Sequence, residues 1–178
     1  MRALRGFMLI LLSVVGVAPG WAQRQHPQTL TEPQVEEIRE AGIDPDQRVK
    51  LYTKFIDEHV DAIKALANRA HSAARARRMD GELEALADLM DELGSNLDQY
   101  GDRKADMRKS LKPLTEATQR WLEVLHAIPT EPGFDVSLKD AIGSRQDLAD
   151  QATQLLSEQT EYFKLHKDQS GQDRVEPN

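Results

Sequence analysis

From Leu83 to Ile128, apolar side chains recur in alternating steps of three and four. The positions are Leu83, Leu86, Met90, Leu93, Leu97, Tyr100, Lys104, Met107, Leu111, Leu114, Thr118, Trp121, Leu125 and Ile128, and only Lys104 and Thr118 break the pattern. Residues between these positions are mostly charged or polar. A 3.5-residue repeat sustained this long predicts a helix with one face buried against other helices. As one uninterrupted helix (B, 82–128) the stretch would be a rod of about 70 Å. Gly94, Gly101 and Pro113 lie within it. Because Leu111 and Leu114 keep phase across Pro113, the proline predicts a kink and not an end.

Upstream, Thr31 and Gln34 are spaced as a capping box, with Leu30 and Val35 placed as a hydrophobic staple. A short helix over 32–41 follows and stops at Gly42. Asp44 and Pro45 then restart the chain as N-cap and first helical residue. Helix A is predicted over 45–78, with a seam of Val49, Tyr52, Ile56, His59, Ile63, Leu66, Ala70 and Ala73. Arg69, Arg75, Arg77 and Arg78 make its end basic, whereas Asp80 to Asp98 contains seven acids and no base. A reversal at 79–81, around Asp80-Gly81, would lay the basic end beside the acidic start. One bent helix, or a turn at 94–96, are the competing readings. Pro129 to Gly133 ends helix B with two prolines and a glycine. Helix C is predicted over 136–167, and 168–178 reads as a disordered tail. The expected architecture is all-α: an elongated antiparallel three-helix bundle or coiled coil with a short N-terminal helix, with B overhanging its partners.

Composition narrows the setting. Aromatics make up only 5% of the 178 residues, which favours seams of Leu and Ala over a thick globular core. Arg2 and Arg5 precede an apolar run from Phe7 to Ala18, and Gly20-Trp21-Ala22 supplies small residues at a cleavage point. This is the layout of a signal peptide over 1–22. The run is too short for a spanning helix of about 20 residues. Residues 23–30 read as a flexible start. Without Arg2 and Arg5 the formal charge moves from -7 to -9. So acidic a chain lacks the basic footprint of a nucleic-acid binder. With no cysteine there are no disulfides, thiolate metal sites or Cys nucleophiles. The expected location is the periplasm or exterior of a bacterium, soluble after cleavage near Ala22, with no transmembrane segment thereafter.

Candidate chemistry is sparse. The five histidines form no zinc motif. With the reversal at 79–81, His59 would level with Tyr162, and Tyr100 and His166 would lie about one turn away. A layer of His59, His166, Tyr100 and Tyr162 is therefore the candidate metal or cofactor site. The plainer reading is a buried imidazole hydrogen-bonded to a tyrosine hydroxyl. No catalytic motif is present and no cofactor is implied. The leading expectation is a non-catalytic exported scaffold or adaptor that meets a protein partner, or itself, through helical faces. A holdase-type chaperone or stress sensor, gripping clients with an uncovered end of B, is the alternative. A small metal- or cofactor-binding bundle around His59 is a third.

Overall fold

The structure, a computed structural model, describes residues 29–171. The expected signal peptide, residues 23–28 of the expected flexible start, and 172–178 of the expected tail lie outside the described residues. Within them the chain is all-α, with no strand. The helices are α1 (Glu32–Glu40), α2 (Pro45–Ala67), α3 (Ala73–Asp102), α4 (Arg108–His126) and α5 (Asp135–Leu165), followed by a 3-10 turn at Lys167–Gln169.

The first two helices start for the reasons read from the sequence. Thr31 accepts the Gln34 amide and the Gln34 side chain returns to the Thr31 backbone, which completes the capping box. Asp44 accepts the Gln47 amide at 3.1 Å, with Pro45 at the first helical position. Thr29 and Leu30 are held, contrary to a flexible start. Leu30 packs on the core, and the Thr29 hydroxyl faces Asp88 at 3.5 Å.

The reversal after α2 is not at 79–81. Helix α2 stops at Ala67, Asn68 bonds back to the Lys64 carbonyl at 3.0 Å, and Ser72 caps α3 by accepting the Arg75 amide at 3.1 Å. Met79, Asp80 and Gly81 lie inside α3. Met79 is fully buried, so the α3 seam extends back from Leu83 through Met79 to Arg75. Arg75 secures this end of the molecule. Its Nε donates to the Leu66 carbonyl at 3.0 Å, and its two terminal nitrogens donate to Glu131 at 2.9 and 3.1 Å. Those hydrogen bonds hold the Glu131 carboxyl below its usual range. One arginine thus ties the end of α2, the start of α3 and the link from α4 to α5.

Helix B is two helices, not one rod, so the long helices number four instead of three. Helix α3 ends in a Schellman turn: the Ala105 amide donates to the Tyr100 carbonyl at 3.1 Å and the Lys104 amide to that of Gly101 at 2.9 Å. Lys104 occupies the left-handed position, φ 54°, that glycine usually fills. Helix α4 starts at Arg108 and runs through Pro113. The link 103–107 buries Ala105 and Met107, with Arg103 and Lys104 exposed. Its backbone is satisfied from α5. Gln159, itself buried, accepts the Met107 amide at 2.9 Å and donates to the Ala105 carbonyl at 2.7 Å.

Named contacts set the directions. Tyr52 meets Glu92 and His59 meets Glu82, so α2 and α3 are antiparallel. Arg108 at the start of α4 lies over Phe163 near the end of α5, and a short link joins their other ends, so α4 and α5 are antiparallel. Trp121 donates to Asp57 at 2.6 Å, and Val124 to Ile128 lie beside Lys64 to Asn68, so α2 and α4 are parallel. Ser137 donates to Asp80, and Gln151 to the Gly94 carbonyl at 2.9 Å, so α3 and α5 are also parallel. Helix α2 packs on α3 and α4, and α5 packs on the same two. The backbones of α3 and α4, and of α2 and α5, do not pack side by side. The four helices therefore form a ring in the order α2, α3, α5, α4, and the 103–107 link crosses its base diagonally.

The expected overhang of B is absent, because folding α4 back covers the seam from Leu83 to Ile128, with Lys104 left outside. The longest helix, α5, has 31 residues and spans about 46 Å. The expected tail is ordered up to Gly171. Asp106 accepts from Arg108 Nε at 2.8 Å, from the Ser170 hydroxyl at 3.2 Å and from the Gly171 amide at 2.9 Å. No helix among the described residues is long and apolar enough to cross a membrane.

Candidate functional site

The layer of His59, Tyr100, Tyr162 and His166 is not assembled. Moving the reversal about ten residues toward the N-terminus shifts the pairing of α2 with α3 by about twice that. His59 consequently faces Glu82, with Nδ1 2.7 Å from a carboxylate oxygen, and not the level of Tyr100. Tyr100 is eighteen residues further along α3 than Glu82, about 27 Å by helical rise. Tyr100 is buried beneath Arg103, whose guanidinium lies 5.3 Å from the ring centre.

Tyr162 and His166 do meet, one turn apart on α5. Their rings stack at 4.2 Å, and the Tyr162 hydroxyl donates to Gln169 at 2.7 Å. Lys104 Nζ lies 5.3 Å from the centre of the Tyr162 ring. This pair closes the end of α5 over the 3-10 turn. Its polar atoms are used locally, since His166 Nδ1 is 2.9 Å from the Tyr162 carbonyl. Among the described residues no three His, Cys, Asp or Glu side chains are grouped so as to hold a metal ion.

An open concavity lies elsewhere, along the parallel seam of α3 and α5. It has a volume of about 540 Å³. Small residues line part of it, including Ala87, Gly143 and Ser144. Its walls carry Glu84, Asp88 and Asp91 from α3, and Asp140 and Asp147 from α5. Lys139 is the one base along it, and Val136 projects beside it with 64% of its surface exposed. None of these five acids is in a salt bridge among the described residues. Carboxylates three and four apart on one helix repel each other, by a few tenths of a kcal/mol per pair. The groove is an open, strongly acidic surface.

Half of this groove is visible in the sequence as the acid run from Asp80 to Asp98. That run reads there as a partner for the basic end of helix A. In the structure Arg77, Arg78 and the acids share α3, so that pairing does not form. Asp140 and Asp147 are missed because their position opposite the run depends on α3 and α5 being parallel. A seven-residue spacing on α5 is the sole sequence signal for them. No family model, curated protein or solved structure matches this chain.

Proposed function

We propose that this protein is an exported, non-catalytic interaction module of a bacterial envelope, a helical scaffold or adaptor. Its partner is a cationic helical segment that docks between α3 and α5. The observation that carries this reading is the groove: five carboxylates against one lysine, small residues among its lining that permit close approach, and an exposed valine. Charge complementarity of this kind supplies on-rate and orientation more than raw affinity. The leader, net acidity and absence of cysteine support the envelope setting.

The holdase reading has lost its motivation, because the B seam is covered. The His59-centred reading has lost its layer.

A titration of isotopically labelled protein with an amphipathic Lys/Arg-rich helical peptide tests the proposal. Amide shifts should concentrate on the facing turns of α3 and α5, and should weaken steeply as salt rises. The variant Asp88→Lys/Asp140→Lys should lose the response while keeping its helicity. Shifts spread over all acidic surfaces, or a response that survives the double reversal, would sink the assignment.

A further inference from the structure

The link between α3 and α4 is built from residues that do not belong in a link. Arg103, Lys104 and Ala105 are good helix formers. Neither Gly nor Pro occurs between Gly101 and Pro113. Lys104 is the one non-glycine residue with positive φ among the described residues. That conformation is disfavoured for any side chain with a Cβ. Meanwhile the seam keeps its three-four spacing straight through the break, from Leu97 and Tyr100 to Met107 and Leu111. Helices α3 and α4 sit diagonally across the ring, and their backbones do not pack side by side. Besides the local turn bonds and the Arg108–Asp106 pair, the bend is held by α5 and the segment after it: Gln159 on the Ala105 carbonyl and Met107 amide, and Ser170 and Gly171 on Asp106. A straight helix would satisfy the Ala105 carbonyl and the Met107 amide within its own ladder.

We propose that residues 103–107 are a hinge and that the partner it serves is a second copy of this chain. Opening the hinge joins α3 and α4 into one helix and exchanges the α4–α5 pair between two copies. In the exchanged dimer α4 packs on the other copy's α2, and α5 on its α3, so every interface of the closed chain is remade. Only the hinges differ, and exchange of an identical element is a low-cost route to a dimer. The joined helix would run from Ala73 to His126, about 80 Å.

The full chain, refolded from denaturant over a roughly hundredfold range of concentration, is measured by light scattering and small-angle X-ray scattering. A dimer should grow with concentration and have a maximum dimension beyond about 80 Å. Lys104→Gly relieves the closed hinge and weakens the open helix, by about thirtyfold together. Two hinges open per dimer, so its association constant should fall about a thousandfold. Gln159→Ala should raise it. A Gly94→Cys/Gln151→Cys pair, placed where Gln151 already reaches the Gly94 carbonyl, reports the exchange in a chain otherwise free of cysteine. Its disulfide should link two chains in the dimer and close within one chain in the monomer. The proposal is overturned if wild type stays monomeric throughout. A dimer that ignores Lys104→Gly, or whose disulfides all close within one chain, overturns it equally. Those readings stand even if Gln159→Ala fails to fold.

Discussion

Replacing Gln159 by leucine is the sharpest test of how the diagonal link is held. The side chain is buried and makes two hydrogen bonds, both to backbone groups that belong to no helix ladder. Leucine has similar volume and no polar atom, so the Ala105 carbonyl and Met107 amide are stranded. Each buried unsatisfied group costs roughly 1–3 kcal/mol. Two such groups, less about 1 kcal/mol returned by burying the more apolar side chain, leave a net loss of about 3 kcal/mol. For a domain of this size that lowers the melting temperature by about 6–12 °C. Urea unfolding followed by far-ultraviolet circular dichroism, at low concentration to keep the chain monomeric, measures it directly. Gln154→Leu is the control: it lies on the same helix, is exposed, and bonds only to Glu158. It should stay within about 0.5 kcal/mol of wild type. If Gln159→Leu does the same, the link is not held by this side chain and the account of the crossover fails.

Three further outcomes follow from particular residues. Gly81→Ala should stabilise by about 0.5–1 kcal/mol, because Gly81 is inside α3 and an added Cβ meets nothing within 4 Å; a loss of stability in urea would return the reversal to 79–81. Arg145 is buried, its Nε has no partner, and burial holds its pKa below the usual value. Its Nη2 donates to Gln146 at 2.7 Å and Asp150 offsets part of the burial. Arg145→Met should therefore leave the urea midpoint unchanged or raised, and a loss above about 1 kcal/mol would contradict this view of a buried charge that costs more than it returns. Asp106 is held at about 2 from an ordinary 3.8, first by Arg108 and then by the Gly171 amide. Its contribution is complete above the ordinary value and is lost as pH falls toward 2. Its size is about 1 kcal/mol after solvent screening. The stability gap between wild type and Asp106→Asn should narrow from pH 5 to pH 2.5, a range set by those two values; a constant gap would refute the linkage.

The parts of the fold that could be read from the sequence are those where a local signal had no competitor. Thr31 with Gln34, Asp44 with Pro45, and the Pro129 to Gly133 stop each act over a few residues, and each stands where expected. Every seam position from Leu83 to Ile128 is buried except Lys104. The seam could not show that these positions line two helices, because a helix folded back on its own bundle needs the same spacing on both sides of the break. The α2 reversal was misplaced for a related reason. Asn68 and Ser72 are weaker punctuation than Met79-Asp80-Gly81, yet a glycine in a packed helix costs only about 1 kcal/mol. The burial of Met79 and Arg75 outweighs that cost. The histidine and tyrosine layer inherited this error, since it was built by counting from the wrong turn. The acidic groove needed one more piece of information, the parallel run of α3 and α5.

The diagonal crossing has a consequence for how the chain acquires its structure. Each antiparallel pair, α2 with α3 and α4 with α5, is closed by a short turn and can form from local encounters. The parallel pairs cannot: Asp80 meets Ser137 across 57 residues, and Asp57 meets Trp121 across 64. Loop-closure entropy for those contacts is met only when one finished hairpin docks on the other. Refolding should therefore gain most of its helicity early and bury Trp121 late. The indole fluorescence would trail the far-ultraviolet signal, and substitutions at the docking surface would slow the second phase without touching the first.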